Sequence, residues 1–127
     1  MLYTVEPKTG MSVIKEEISA KAKDLGFGVL KEYNFKDMLK ERGFPIEREI
    51  AVFELCNPAA AQEALSKYPD ISVYLPCRIS VYEKDDKTIL STIAIEEMLK
   101  GFDIDEESKK QMRIIFENLK KLISSWE

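Results

Sequence analysis

The clearest pattern in the chain is the alternation of apolar and polar residues from Ser72 to Lys84. Successive side chains of a β-strand point to opposite faces of the sheet, so this alternation predicts a strand with one buried and one polar face. The apolar face would carry Val73, Leu75, Cys77, Ile79 and Val81. A helical pattern precedes the stretch and a hairpin pattern follows it, so we predict that it is a central strand.

Four other segments have strand patterns, and they are Leu2–Glu6, Phe27–Tyr33, Glu47–Leu55 and Thr88–Ile95. The last of them follows the central strand across a turn at Asp85-Asp86, which predicts a hairpin. Together the patterns predict a mainly antiparallel sheet of about five strands.

Two long helices are predicted from apolar residues spaced three and four apart. The first helix carries Met11, Ile14, Ile18, Ala22 and Leu25. Thr9 and Ser12 are alternative caps for its start, and Gly26 marks its end. The second helix carries Met112, Ile115, Phe116, Leu119, Leu122, Ile123 and Trp126. Asp103 and Glu106 resemble a capping box before it, and this helix is long enough to lie diagonally across the sheet.

Shorter helices are predicted between the strands and after the last of them. Asn34 is a suitable cap for a helix over Phe35–Glu41, and Asn57-Pro58 combines a favoured cap residue with a favoured first helical residue. The helix after Pro58 is rich in alanine, and Glu96–Lys100 can form a single helical turn. The whole pattern predicts one α+β domain over residues 1–127, with helices covering the sheet.

Composition and charge narrow the classes of partner. The chain has 127 residues, of which 45% are hydrophobic and 33% charged, as in a folded globular domain. Its net charge of −4 argues against a nucleic-acid partner, because phosphate binding requires a basic surface, and against docking on anionic lipid. No apolar run reaches membrane-spanning length and the first residues lack the pattern of a secretion signal, so we expect a cytoplasmic protein.

The residue types that are scarce restrict the chemistry. The chain has no histidine, which argues against hydrolases of the Ser-His and Cys-His types and removes the commonest nitrogen ligand for metals. The two cysteines are expected to be free thiols. Many lysine and glutamate residues beside few asparagine and glutamine residues are typical of a thermostable protein. No cofactor can be assigned, and enzymatic activity stays open.

Several short motifs resemble the uncharacterised DUF302 family, a domain of unknown function. The resembling segments are Leu2-Tyr3-Thr4-Val5, Gly26-Phe27-Gly28-Val29-Leu30, Cys56-Asn57-Pro58 with Glu63-Ala64-Leu65, and Leu75-Pro76-Cys77-Arg78 with Tyr82-Glu83. The resemblance implies a fold like that of the TATA-box-binding protein, with the order β-α-β4-α and short helical insertions. It implies no activity.

One candidate site follows if the third strand and the central strand are antiparallel neighbours. Cys56 lies at the end of the third strand, and Cys77 lies near the start of the central strand. In an antiparallel pair these two positions are at the same rim of the sheet, so both thiols would lie there. Asn57 and Arg78 follow them in sequence, and we take these four residues as candidate ligand-binding residues. A thiol beside a helix N-terminus favours the thiolate, which gives a hypothesis of thiol-based redox or soft-metal chemistry.

Structural roles for the same residues are also expected. Free cysteine is among the most buried residues, so both thiols can simply pack in the core. Asn57 is expected to cap its helix. Arg78 is expected to point away from Cys77 and either to stack on a tyrosine or to pair with a carboxylate on a neighbouring strand. Glu54 is expected at a solvated strand edge.

Two non-catalytic functions remain beside the thiol hypothesis. In the first, the long helix over a curved sheet leaves an apolar cleft that takes a small-molecule ligand. That cleft would be lined by Phe27, Leu30, Phe53, Cys77 and Ile115. In the second, the chain is a homodimer joined through its sheets or long helices. A pocket of several hundred cubic ångströms favours the first, and a flat apolar patch favours the second.

Overall fold

The computed structural model describes all residues from Met1 to Glu127 and contains one five-stranded antiparallel sheet. Its strands are β1 (Leu2–Val5), β2 (Gly28–Asn34), β3 (Ile50–Cys56), β4 (Cys77–Lys84) and β5 (Lys87–Ile93). They lie in the order β1-β5-β4-β3-β2, with every neighbouring pair antiparallel. The predicted α+β class is confirmed, and β4 occupies the predicted central position.

Two helices, α1 (Met11–Asp24) and α5 (Glu106–Ser124), cover one face of this sheet. The register of β3 and β4 places Phe53 opposite Ile79, and both side chains are buried against the helices. Leu122 and Ile123 of α5 belong to the same cluster of 15 buried residues. The predicted helix across the sheet is therefore confirmed, and its apolar face is what holds it there.

The first residues of the predicted central strand are not part of the sheet. Pro69–Tyr74 forms a 3₁₀ helix, and Val73 is 75% exposed instead of facing the core. Pro76 has no N–H to donate to a neighbouring strand. The amide of Leu75 donates to the carbonyl of Ser72 at 3.2 Å and is not available to a neighbouring strand either. The strand therefore begins only at Cys77, and its later alternation was predicted correctly.

The three shorter helices are α2 (Phe35–Glu41), α3 (Pro58–Lys67) and α4 (Ile95–Lys100); the first two connect strands, and α4 lies between β5 and α5. The predicted caps of the first two are confirmed, because Asn34 Oδ1 accepts the amide of Asp37 at 3.3 Å and Asn57 Oδ1 accepts the amide of Ala60 at 3.1 Å. None of the five helices is both long and apolar enough to cross a membrane.

The predicted caps of the two long helices are wrong. Helix α1 begins after Gly10 without a side-chain cap, and the hydroxyl of Thr9 instead donates to the carbonyl of Trp126 at 3.1 Å. Helix α5 is capped by Asp105, which accepts the amide of Ser108 at 2.8 Å. Ile104 is buried in a small second apolar cluster, so the chain turns into α5 after that residue and not at Asp103.

Two turns have the backbone conformation that their residues favour. Asp85 and Asp86, between β4 and β5, have φ values of 52° and 63°, as in the turns that suit tight hairpins, and the predicted hairpin is confirmed. Gly26 has a φ of 88° directly after α1, where a left-handed residue commonly ends a helix.

Candidate functional site

A cavity of about 790 Å³ opens where β3 ends and β4 begins. Helix α3 and the 3₁₀ helix form one side of it, and α5 with α4 forms another. Of its 30 lining residues, 22 are hydrophobic. The cleft predicted from the sequence coincides with this space in part, because four of its five predicted lining residues border the cavity. Phe53 does not, since it lies in the middle of β3 inside the main core.

Helix α3 leaves this space open because its side chains are small. The helix buries none of its ten residues fully, although it lies between two strands of the sheet in sequence. The α3 residues that face the cavity are mostly alanines, namely Ala59, Ala60, Ala61, Glu63, Ala64 and Leu65. An alanine methyl group reaches only a short way from the helix, so these residues do not fill the volume between α3 and α5.

Helix α3 approaches other parts of the molecule closely at one end and is hydrogen-bonded to them at the other. At the first end, a Cβ on Gly26 would lie 3.3 Å from Nδ2 of Asn57, so the glycine allows a close approach to the helix cap. At the second end, the hydroxyl of Tyr68 donates to the carboxylate of Asp105 and accepts the backbone amide of that residue at 2.9 Å. The alanine face of α3 is thus held across the cavity from α5.

The bonds at Asp105 also change its acidity. The Tyr68 hydroxyl, the backbone amide of Ser108 and the Ser108 hydroxyl all stabilise the carboxylate, which lowers the pKa of Asp105 to about 2. The carboxylate is therefore charged at every pH at which the protein is expected to work. It serves at once as the cap of α5 and as the acceptor that holds the far end of α3.

The two thiols lie at the same rim of the sheet, as predicted. Cys77 of β4 is paired with Leu55 of β3, and Cys56 is the residue that follows Leu55. Both cysteines are free, partly buried and among the residues that line the cavity. Burial raises the pKa of the Cys77 thiol, and the nearby Cys56 raises it further. Cys77 is therefore protonated at neutral pH, which makes it a weak nucleophile and a weak metal ligand.

Arg78 borders the cavity but is already paired. Its Nε and Nη2 donate to Oε2 of Glu54, the register partner on β3, at 3.2 and 3.1 Å. The hydroxyl of Tyr33 on β2 donates to Oε1 of the same carboxylate at 2.9 Å. The predicted pair with a neighbouring-strand carboxylate is confirmed.

The expected solvated position of Glu54 is wrong, because the residue is only 8% exposed. Its strand has a neighbour on each side, so Glu54 lies inside the sheet and not at an edge. Tyr33 was not anticipated as its partner. The signal in the sequence was weak, because a β-bulge between Val29 and Lys31 shifts the register of β2 on β3.

All four candidate residues, Cys56, Asn57, Cys77 and Arg78, border the one cavity. Within the whole chain, no three Asp, Glu or Cys residues lie close enough together to hold a metal ion. The rim therefore offers two thiols, a helix-capping amide and a paired guanidinium around an apolar volume. Such a set can orient a bound molecule through a few polar contacts.

Comparison with known proteins places this arrangement in a family. The model of the family described as domain of unknown function DUF302 matches residues 3–125. The chain belongs to the DUF302 family. The resemblance drawn from the sequence motifs is thereby confirmed, and the fold agrees with that of a solved DUF302 structure.

Two known proteins are similar to this DUF302 chain. The crystal structure of an uncharacterized conserved DUF302 protein from Bacillus stearothermophilus superposes with a TM-score of 0.86 at 26% identity, covering 99% of this chain and 98% of that one. An uncharacterized protein of Aquifex aeolicus (strain VF5) is 33% identical over 54 residues, which are 42% of this chain and 38% of that protein. Neither description names an activity, so a function has to be argued from the site itself.

Proposed function

We propose that this DUF302 domain binds a small, largely apolar molecule in the cavity between α3 and α5 and does not act on it chemically. The observation that supports the proposal is the cavity itself, with about 790 Å³ of space and 22 hydrophobic residues among 30. Ligand sites in proteins commonly have volumes of roughly 300–1,000 Å³, apolar walls and few polar groups. A dimer contact alone gives no reason for such a space.

The four rim residues are the proposed polar contacts of the ligand. Asn57 uses Oδ1 to cap α3, which leaves its amide nitrogen as a donor. Cys56 and Cys77 contribute weakly polar sulfur atoms to an apolar wall. Arg78 borders the cavity and uses two donors on Glu54; its other guanidinium N–H groups are the proposed donors to a polar atom of the ligand.

Binding without catalysis is supported by the state of these groups. General base catalysis requires a group poised to take a proton near neutral pH, and the chain has no histidine. The raised pKa of Cys77 disfavours the thiolate that nucleophilic chemistry needs. The rim groups are therefore suited to contact a molecule and less suited to transform it.

A thiol-based redox or soft-metal protein is the second candidate function. One observation favours it, namely that Cys56 lies close enough to Cys77 to affect the pKa of the Cys77 thiol. However, Cys56 raises the pKa of Cys77, which argues against a redox or metal-binding function because a reactive thiol needs a lowered pKa. Rapid reaction of Cys56 with a thiol reagent in the folded protein would favour this candidate over the first.

The binding proposal can be tested with the neutral fluorescent probe N-phenyl-1-naphthylamine. We expect saturable binding to the wild-type protein and at least tenfold weaker binding to the Ala64→Phe variant, in which a ring occupies the cavity. Ala20 is exposed on α1, so Ala20→Phe is a matched control that should bind as wild type does. Equal affinity in all three proteins would contradict the proposal.

Native mass spectrometry of untagged protein extends this test. It reports a retained small molecule and also the mass of the assembly. The predicted homodimer stays a prediction until that mass is measured.

A further inference from the structure

The charges around the cavity are few and unevenly compensated. Among the 30 lining residues only Glu63 and Arg78 carry a formal charge at neutral pH. The first is an exposed residue of α3, and the second lies at the start of β4. The electrostatic environment of a bound molecule therefore depends on whether these two side chains are already paired with an opposite charge.

The guanidinium of Arg78 is not free. Glu54 holds it through two hydrogen bonds to one carboxylate oxygen, at 3.2 and 3.1 Å, and is itself almost fully buried. An anionic ligand at this rim would approach one cation together with the two carboxylates of Glu54 and Glu63. It would also leave water for apolar walls, which costs free energy unless a new partner compensates it.

A cationic ligand has no better partner. The carboxylate of Glu63 is the only unpaired anion of the lining, and it is exposed to solvent, where a charge pair contributes little. The Cys77 thiol does not supply a negative charge either, because burial keeps its pKa raised. A buried ammonium group would thus lose its hydration without gaining a counter-ion.

We infer that the molecule bound in this cavity is electrically neutral, with a mainly apolar body and at most a small polar group that reaches the rim. The inference rests on the proposed function and specifies the chemical class of its ligand. In this view the pairing of Arg78 with Glu54 has a specific role. It engages the guanidinium of Arg78 with the buried carboxylate of Glu54, which compensates the positive charge that would attract carboxylates and phosphates.

Two probes that share one skeleton test this inference. N-phenyl-1-naphthylamine is neutral, and 8-anilino-1-naphthalenesulfonate adds a sulfonate to the same two ring systems. In fluorescence titrations of the wild-type protein we expect the neutral probe to bind at least tenfold more tightly. Equal or tighter binding of the sulfonate would overturn the inference and leave the binding function intact. If neither probe binds, the proposed function fails and the inference fails with it.

The Glu54→Gln variant tests the cause of the preference. It keeps the shape of the side chain but removes the charge that compensates Arg78, so we expect the tenfold preference to narrow by at least threefold through tighter sulfonate binding. Glu117→Gln is a matched control, because Glu117 pairs with Lys120 at 3.4 Å on α5 and does not line the cavity. A preference that narrows equally in both variants would assign the effect to net charge and overturn the role given to Glu54.

Discussion

Three alanine-to-phenylalanine substitutions would show whether the volume beside α3 exists in solution. Ala64 borders the cavity, Ala22 of α1 is 0% exposed in the main core, and Ala20 of α1 is exposed. All three lie within helices, so the loss of helix propensity is similar, at about 0.5 kcal/mol. The variants therefore differ mainly in what the added ring meets.

The expected free energies of unfolding follow from these surroundings. At Ala22 the ring has no space, and overpacking a core costs about 1–3 kcal/mol, occasionally more. At Ala64 the ring enters an existing apolar space, where its burial contributes up to about 1.5–3 kcal/mol and offsets the helix term. We therefore expect Ala64→Phe to be at least about 2 kcal/mol more stable than Ala22→Phe, and no less stable than Ala20→Phe.

Urea denaturation followed by the fluorescence of Trp126 is a suitable assay. This single tryptophan is 6% exposed, and its indole N–H donates to Glu17 at 2.9 Å, so its emission should change when the core opens. Far-ultraviolet circular dichroism on the same samples checks that unfolding is two-state. A loss of stability in Ala64→Phe equal to that in Ala22→Phe would show that the space is closed in solution and would refute the reasoning.

Other predictions concern the groups that surround the cavity. Because the pKa of Asp105 is lowered from 3.8 to about 2 in the folded protein, its contribution to stability is present above the unfolded pKa of 3.8 and is lost as pH falls towards 2. The stability difference between wild type and Asp105→Asn, measured by urea denaturation, should shrink over that range, and a constant difference would contradict the assignment. Tyr68→Phe should increase hydrogen exchange in α3, whereas Tyr33→Phe, which also removes a tyrosine-to-carboxylate bond, should leave α3 unchanged. In a Cys56→Ser protein, alkylation of Cys77 followed by mass spectrometry should have a midpoint above pH 9.0, because burial remains the larger cause of its raised pKa. A midpoint at or below that value would show that the thiol is accessible to water.

Local patterns were sufficient to predict most of the fold. The alternation after Cys77, the helical spacing along α1 and α5, and the caps at Asn34 and Asn57 each depend on residues a few positions apart. Such patterns are decided mainly by side-chain periodicity and by local hydrogen bonds. The motifs that resemble the DUF302 family then indicated how these elements are arranged in the fold.

The errors occurred where distant contacts override local preference. Ser72–Tyr74 alternates like a strand, but the adjacent prolines exclude it from the ladder and Ile71 anchors the 3₁₀ helix in the second cluster instead. Thr9 is a good cap by type, but its hydroxyl contacts the carbonyl of Trp126, 117 residues away. No local pattern contains that information.

The location of the candidate site was predicted from the sequence, but the contacts that form it were not. The antiparallel register of β3 and β4 was enough to bring Cys56 and Cys77 to one rim. The cavity depends on the small side chains of α3 facing α5 across the end of the sheet, which is a tertiary relation. The role of Glu54 depends in turn on its position inside the sheet, between a strand that carries Tyr33 and one that carries Arg78.

The most direct test of the account is an NMR titration of the alanine methyl groups with N-phenyl-1-naphthylamine. The account predicts saturable shifts for the methyls of Ala61 and Ala64, which border the cavity, and none for Ala20 and Ala22 on the far helix. Shifts confined to the methyls of α1, or no saturable shift in α3, would contradict the claim that this cavity is a binding site.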